Sequence, residues 1–353
     1  MALLKVWTPD IGYNAATAMK KKATVRNPGP SQVTSIEAPA NGGSAWSVPE
    51  GSYLAIQAIP TASSKLRVGL WIWEEEPNSN YDYMLELEVT YGLVTGTRLA
   101  AFAMQHSIYP WIAYDTNGAT VDYTEIFRQV QEGWRWVEMH ITNSLTVATI
   151  EVWVDGEKVA DLTGKDTGIA AFSGTDPVNV RVGSGSQYTY IGGVVVWDDS
   201  GSGMTGYQGP MRIETLTPNG DDATDSDWVQ SAGANIYDAV DSAAAEVDDV
   251  SDYIYAATVG DRQLFDLTNL AATDIYTVEA VTLETLIGHN DGVWPCQMKT
   301  LLKSGATESD GTSKHPKQYG AVYDIWEVDP NTASAWTTTA VNALQSGAER
   351  ISP

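Results

Sequence analysis

Ile150, Val152 and Val154 alternate with Glu151, Trp153 and Asp155, and the dipeptide Asp155-Gly156 follows at once. A period of two marks a strand with one face buried, and Asp-Gly after it marks a tight hairpin turn. The preceding run GWRWVEMHI supplies a neighbouring strand, and YIGGVVVWDD supplies a later one. This stretch of chain has no place in a helical fold. It predicts paired antiparallel strands covering a core on one side.

The rest of the composition agrees with an all-β protein. Long apolar runs of helical period are absent, and 13 Trp and 17 Tyr stand against 4 Phe. Aromatic and β-branched residues suit a pleated, half-buried surface. Candidate strands lie at 53–57, 66–73, 83–89, 98–104, 111–114, 134–141, 149–154, 178–182 and 190–197, with one helical turn at 124–131. Turn clusters such as Pro77-Asn78-Ser79-Asn80 separate them. Many short strands at regular spacing read as a sandwich.

Three segments are expected. Residues 1–44 form a basic, turn-rich arm, in whose first thirty residues Lys5, Lys20, Lys21, Lys22 and Arg26 stand against one acid, Asp10. Such an arm suits an acidic neighbour, another copy of the chain included. Residues 45–203 form the first domain, ending at Ser200-Gly201-Ser202-Gly203. Residues 204–353 form a smaller β-sandwich, with MRIETLTP as its first strand and IYTVEAVTLETLI as its central one. Further strands are expected at 262–267, 297–303 and 319–327. A short helix capped by Thr337 or Thr338 carries Val341 and Leu344 and stops at Gly347. Between Glu214 and Asp261 stand twelve acidic residues and no Lys or Arg. Its heart, residues 241–252, is expected to be a solvated loop.

A net charge of −25 excludes nucleic acid as a partner and disfavours anionic membranes. The lone Cys296 excludes a disulfide framework and cysteine-based zinc sites. The start MALLKVWTPD lacks the apolar core of a signal peptide, and no run reaches transmembrane length. A soluble protein made in a cytosol, without membrane insertion, is expected.

Catalytic equipment is sparse. Glu86 and Glu88, two apart on a strand, share a face, as paired glycosidase carboxylates do. They lack the longer Glu-x-Asp-x-Glu pattern of jelly-roll glucanases, so a solvent-facing strand is the better reading. His106, His140, His289 and His315 show no metal-binding spacing. No phosphate loop, dinucleotide fingerprint or nucleophile elbow is present. Oxygen ligands gather at Asn219–Asp227 and at Trp197-Asp198-Asp199, which brings calcium into consideration. The order is not that of an EF-hand, and a solvated acidic loop is expected. No catalytic, cofactor or metal residue is therefore assigned, and the chain is expected not to be an enzyme. Aromatic clusters are the remaining candidates: Trp71 with Trp73, Trp134 with Trp136, and Tyr109 with Trp111 and Tyr114. Rings of the last group are the candidates for stacking on sugar; core or interface packing is the competing use.

GWRWVEMHITNSLTVATIEVWVDGEKVADLTG followed by YIGGVVVWDDSG resembles the laminin-G/concanavalin-like jelly roll. MRIETLTPNGDDATDSDW, DRQLFDLTNL and YDIWEVDPNTASAWTTTAVNALQSGAE are similar to tailed-bacteriophage virion proteins, in which such a domain precedes a small β domain. The resemblance implies a virion structural protein, tail-associated or on the capsid surface. It further implies several copies, with itself and other virion proteins as partners. A host surface glycan would be the partner if the protein is an adhesin. The resemblance transfers no site residue.

Overall fold

The computed structural model describes residues 3–7, 24–26, 33–34, 45–48, 53–74, 83–91, 97–105, 111–115, 133–183, 189–200, 204, 206–231, 233, 235–240, 253–270, 277–288, 297–315 and 319–352. The chain forms two compact units, Met1–Ile213 and Glu214–Pro353.

The first unit contains β1 (Leu3–Trp7), β2 (Thr24–Arg26), β3 (Val33–Thr34), β4 (Ala45–Val48), β5 (Tyr53–Ala58), β6 (Lys65–Glu74) and β7 (Tyr83–Tyr91). It continues with β8 (Thr97–Gln105), β9 (Trp111–Asp115), β10 (Gly133–Thr142), β11 (Ala148–Val154), β12 (Glu157–Lys165), β13 (Val178–Gly183) and β14 (Thr189–Asp198). One sheet runs β12-β11-β10-β6-β14-β4-β3, with β1 also paired to β14; the other runs β2-β5-β13-β7-β8-β9. Every pairing is antiparallel; β7-β8-β9 and β10-β11-β12 each stay within one sheet, and from β5 onward the chain crosses between the sheets at β5–β6, β6–β7, β9–β10, β12–β13 and β13–β14. This is the concanavalin-like jelly-roll sandwich.

Alternation explains the core. Val137, Met139 and Ile141 of β10, Ile150, Val152 and Val154 of β11, and Val178, Val180 and Val182 of β13 meet in one buried cluster with Leu66, Leu70 and Phe102. Each such side chain contributes about 1.5–3 kcal/mol by leaving water. Asp155 (φ 47°) and Gly156 (φ 93°) both adopt left-handed backbone at the β11–β12 turn, as the Asp-Gly signal predicts. The N-terminal segment, expected as an arm toward a neighbour, supplies β1, β2 and β3 to the sheets of its own unit. Lys20, Lys21 and Lys22 lie outside the described residues, as does the helical turn expected at 124–131.

The second unit contains β15 (Pro218–Ser226), β16 (Val229–Gln230), a 3-10 turn at Tyr237–Ala239, β17 (Ile254–Tyr255) and β18 (Arg262–Leu267). It continues with β19 (Val281–Gly288), β20 (Gln297–Ser304), β21 (Thr307–Asp310), β22 (Tyr319–Trp326), α1 (Thr338–Val341) and β23 (Leu344–Ser352). A five-stranded sheet runs β15-β18-β23-β20-β21, beside the ribbons β16-β17 and β19-β22. The β19–β22 ribbon packs over the sheet through Val322 against Met298 and Ala348, and through Val281 and Trp326 against Leu302 and Leu344.

Four sequence expectations fail in this unit. MRIETLTP forms no strand from Met211 to Thr217. The Met211 carbonyl accepts a hydrogen bond from Trp71 Nε1, and β15 starts at Pro218. The acidic stretch 219–226, expected as a loop, is β15, with a break in register between Asp221 and Ser226. The run at 275–287 supplies β19, which among the described residues pairs with β22 alone. The central strand is β23, where a helix stop was expected. Thr337 does cap α1, accepting the Ala340 amide at 3.1 Å, but the helix ends at Val341. Gly347 then sits mid-strand against Leu264 and Leu301.

Candidate functional site

The chemistry-bearing side chains of the first unit gather on the face of the larger sheet turned away from its core. Since Val137, Met139 and Ile141 point inward, Trp136, Glu138 and His140 must point outward. Cross-strand register completes the rows. Trp197, Arg67, His140 and Glu151 stand level on β14, β6, β10 and β11; Gly69, Glu138, Trp153 and Lys158 form the next row; Trp71 faces Trp136, and Trp73 faces Trp134.

Most of this face is nevertheless buried. Glu138 and Trp197 have no exposure, and His140 has 7%. The cover is the chain's own segment Gly206–Met211. Glu138 Oε1 and Oε2 accept the Gln208 amide at 3.0 and 3.2 Å, and Oε2 accepts the Gly209 amide at 3.2 Å. From the sheet itself, Trp136 Nε1 donates to Oε2 at 3.0 Å and His140 Nε2 lies 2.7 Å from Oε1. A carboxylate only accepts, so Nε2 of His140 carries the proton in this pair. Trp71 Nε1 donates to the Met211 carbonyl at 2.7 Å. Tyr207 stacks on Trp153 with centroids 5.1 Å apart and planes at 25°, and the Lys158 ammonium sits 5.0 Å from the same indole centroid. Burial, with the charges of Glu138 and Asp155, pushes the Tyr207 phenol up to about 12. Burial likewise pulls the Arg67 guanidinium down, against the charges of Asp199, Glu138 and Glu151.

The geometry is that of a peptide clasp. Both oxygens of the Glu138 carboxylate are filled by four donors, which leaves it poorly placed to act as nucleophile or base. Trp73 and Trp134, edge to face at 5.7 Å and 76°, remain half-buried at the end of the face.

No protein-family profile matches the chain, and no curated protein does. Among solved structures, it is similar to the conserved carbohydrate esterase of the Shiga toxin-encoding bacteriophage phi24B (13% identity, TM-score 0.37, 56% of this chain and 100% of that one). It is similar to the CBM2 module of the evolved Dit of Lactobacillus casei BL23 phage J-1 (12%, 0.34, 57% and 98%). It is also similar to the Bauhinia forficata lectin in complex with GalNAc (10%, 0.34, 56% and 99%).

The sequence-predicted site residues are scattered. Trp111 and Tyr114 lie on β9 at the edge of the smaller sheet; their side chains, and Tyr109 altogether, lie outside the described residues. Glu86 and Glu88 lie on β7 opposite Gly183 and Arg181, with side chains outside the description. His106, His289 and Cys296 fall outside it too. His315 contacts Gln297 at 2.7 Å. The two tryptophan pairs do come together, as Trp71–Trp136 and Trp73–Trp134.

The acidic stretches hold backbone rather than gather around a point. Asp198 accepts Thr61 N and Oγ1 at 3.0 and 2.5 Å, and Ser200 N and Oγ at 2.8 and 2.6 Å. Asp199 pairs with Ser63 and Lys65. Asp221 caps the 3-10 turn by accepting the Ile236 and Tyr237 amides at 3.0 and 2.8 Å. Asp222 accepts Thr224 N, Thr224 Oγ1 and Asp225 N across the register break. Among the described residues no three His, Cys, Asp or Glu side chains converge as metal donors. Among them, too, no helix is long and apolar enough to cross a membrane.

The sequence reading missed Glu138 and its cover. The signal was there: an acid and a histidine interleave with Trp136 on the back of a core strand, flanked by Trp71 and Trp153. So much indole on a solvent face calls for something to lie over it.

Proposed function

We propose that the chain is a non-enzymatic, multicopy structural component of a phage particle, tail-associated or on the capsid surface, joined to its own copies and to other virion proteins. The observation that supports this most is the use made of its buried and half-buried acids. Glu138, Asp198, Asp221 and Asp222 each accept backbone amides from segments they hold in place. Such groups are committed to architecture, and a jelly roll so arranged is a scaffold. The virion-like pattern of the C-terminal third, from YDIWEVDPNT to QSGAE, gives the particle as its setting. Light scattering of the purified protein over a range of concentrations, with mass spectrometry of purified particles, tests the reading. Self-association and incorporation in many copies are expected; a monomer absent from particles would overturn it.

The half-buried edge-to-face pair Trp73–Trp134 favours a second reading, a host-glycan adhesin, in which Tyr109, Trp111 and Tyr114 supply a further stacking surface. Binding on a glycan array that is lost in Trp111→Ala or Trp134→Ala would select it.

A further inference from the structure

The face around Glu138 receives a short peptide segment, and the chain covers it with its own Gly206–Met211, bent at Gly206 (φ 76°) and Gly209 (φ 83°). We propose that the same face accepts Gly206–Met211 of a second copy, so that copies are joined by exchange of this strap. The purpose of the exchange rests on the multicopy reading above; the face and its occupant do not.

Three observations carry the inference. First, the strap's recognition is self-contained. The Gln208 and Gly209 amides on Glu138, the Met211 carbonyl on Trp71 and the Tyr207 ring on Trp153 all come from five consecutive residues. An identical strap from another copy presents the same groups, which is the condition for exchange of an element between protomers. Second, the chain entering the strap is strained. Met204 holds φ 35° without being glycine, a backbone conformation that costs free energy for a residue with a side chain, and strained hinges favour exchange. Third, the sequence just before it is Ser200-Gly201-Ser202-Gly203, whose composition resists neither conformation. Six residue steps from Ser200 to Gly206 span about 20 Å when extended. By chain connectivity the exchanged strap carries residues 214–353 with it.

The test uses two full-length variants, each with Cys296→Ala and one new cysteine. Lys158→Cys lies at an exposed position of β12 beside Trp153, and Gln208→Cys lies on the strap, whose contact with Glu138 uses the backbone only. The two are mixed, unfolded and refolded together, and treated with a short flexible bis-maleimide. A mixed cross-linked dimer is expected, together with a dimer in light scattering. Met204→Gly, which removes the strain at the hinge, is expected to weaken the monomer–dimer constant by roughly five- to tenfold. Self-association without the mixed cross-link, or with no response to Met204→Gly, would overturn strap exchange and leave the multicopy reading standing. A monomer at every concentration would overturn both.

Discussion

The indole of Trp136 occupies the space that Gly69 leaves open on the neighbouring strand. A Cβ at Gly69 would stand 2.4 Å from Cζ2 of Trp136 and 2.9 Å from Cη2. That ring is almost fully buried, and its Nε1 is bound to Glu138, so it has nowhere to go. Gly69→Ala is therefore expected to destabilise the first unit by about 1–3 kcal/mol, the usual cost of overpacking. Urea unfolding followed by tryptophan fluorescence measures this, and a midpoint equal to that of the wild type would contradict it.

Glu138 itself is the larger risk. Replacing it by alanine leaves the amides of Gln208 and Gly209, the indole of Trp136 and His140 facing an empty acceptor. The expected loss is about 3 kcal/mol or more. Glu138→Gln keeps one acceptor oxygen and should lose less. Proteolysis should then cut near Tyr207 in the alanine variant long before it cuts the wild type. Equal cleavage rates would mean that the strap is held by something other than this carboxylate.

The Tyr207 phenol reports on the same clasp. It is held up to about 12 by burial and by the charges of Glu138 and Asp155, against an ordinary value of about 10. Its raised folded value favours the neutral form, so this contribution to stability is complete below pH of about 10 and is lost as pH rises toward 12. Absorbance titration of the tyrosines, with Tyr207→Phe as the control, should reveal one late component. In Glu138→Ala that component is expected to move back toward the ordinary range. If Tyr207→Phe removes nothing above pH of about 11, Tyr207 is not buried under these conditions.

At the acid end the sign reverses. Asp222 is held well below the usual carboxylate range by the hydroxyl and amide of Thr224, the Asp225 amide and Gln345, against burial. Burial pushes Asp198 up, but hydrogen bonds from Ser200 and Thr61 outweigh it and leave it below its ordinary value. Burial is likewise outweighed at Asp329 by Ser304, Asn331 and Thr332. Depressed carboxyls stabilise the fold above their unfolded value and cease to do so as pH falls through the folded one. Stability should therefore hold down to pH of about 4 and drop below it. Asp222→Asn is expected to be less stable at neutral pH and to show a shallower acid slope. A slope identical to that of the wild type would remove Asp222 from this account.

Local chemistry made much of the first unit legible. Valine alternation and Asp155-Gly156 announce their strands and turn through neighbours in sequence, and the nine strands expected between residues 53 and 197 all form, with ends shifted by a residue or two. What sequence could not show is what lies over a sheet. Glu138 meets Gln208 seventy positions away, and nothing local to either residue signals the other. In the second unit small residues mislead. Leu344, Ser346 and Ala348 alternate correctly for β23, yet Gly347 among them looks like the end of the helix that Thr337 begins. Propensity favoured the stop; the sheet around it decided otherwise.

Gly347 is accordingly the sharpest test of the second unit. It stands in the central strand β23, level with Leu264 on β18 and Leu301 on β20. A Cβ there would lie 1.7 Å from the carbonyl oxygen of Gln263 and 3.0 Å from Cα of Leu264. These are backbone atoms of a paired strand, so no rotamer change relieves the clash. Gly347→Ala is expected to cost about 4 kcal/mol or more, beyond ordinary overpacking. Hydrogen exchange should lose protection in β18, β20 and β23, while β10 and β11 of the first unit keep theirs. Were Gly347 the stop of a helix instead, with a left-handed backbone, alanine would cost about 1 kcal/mol and would leave those strands protected.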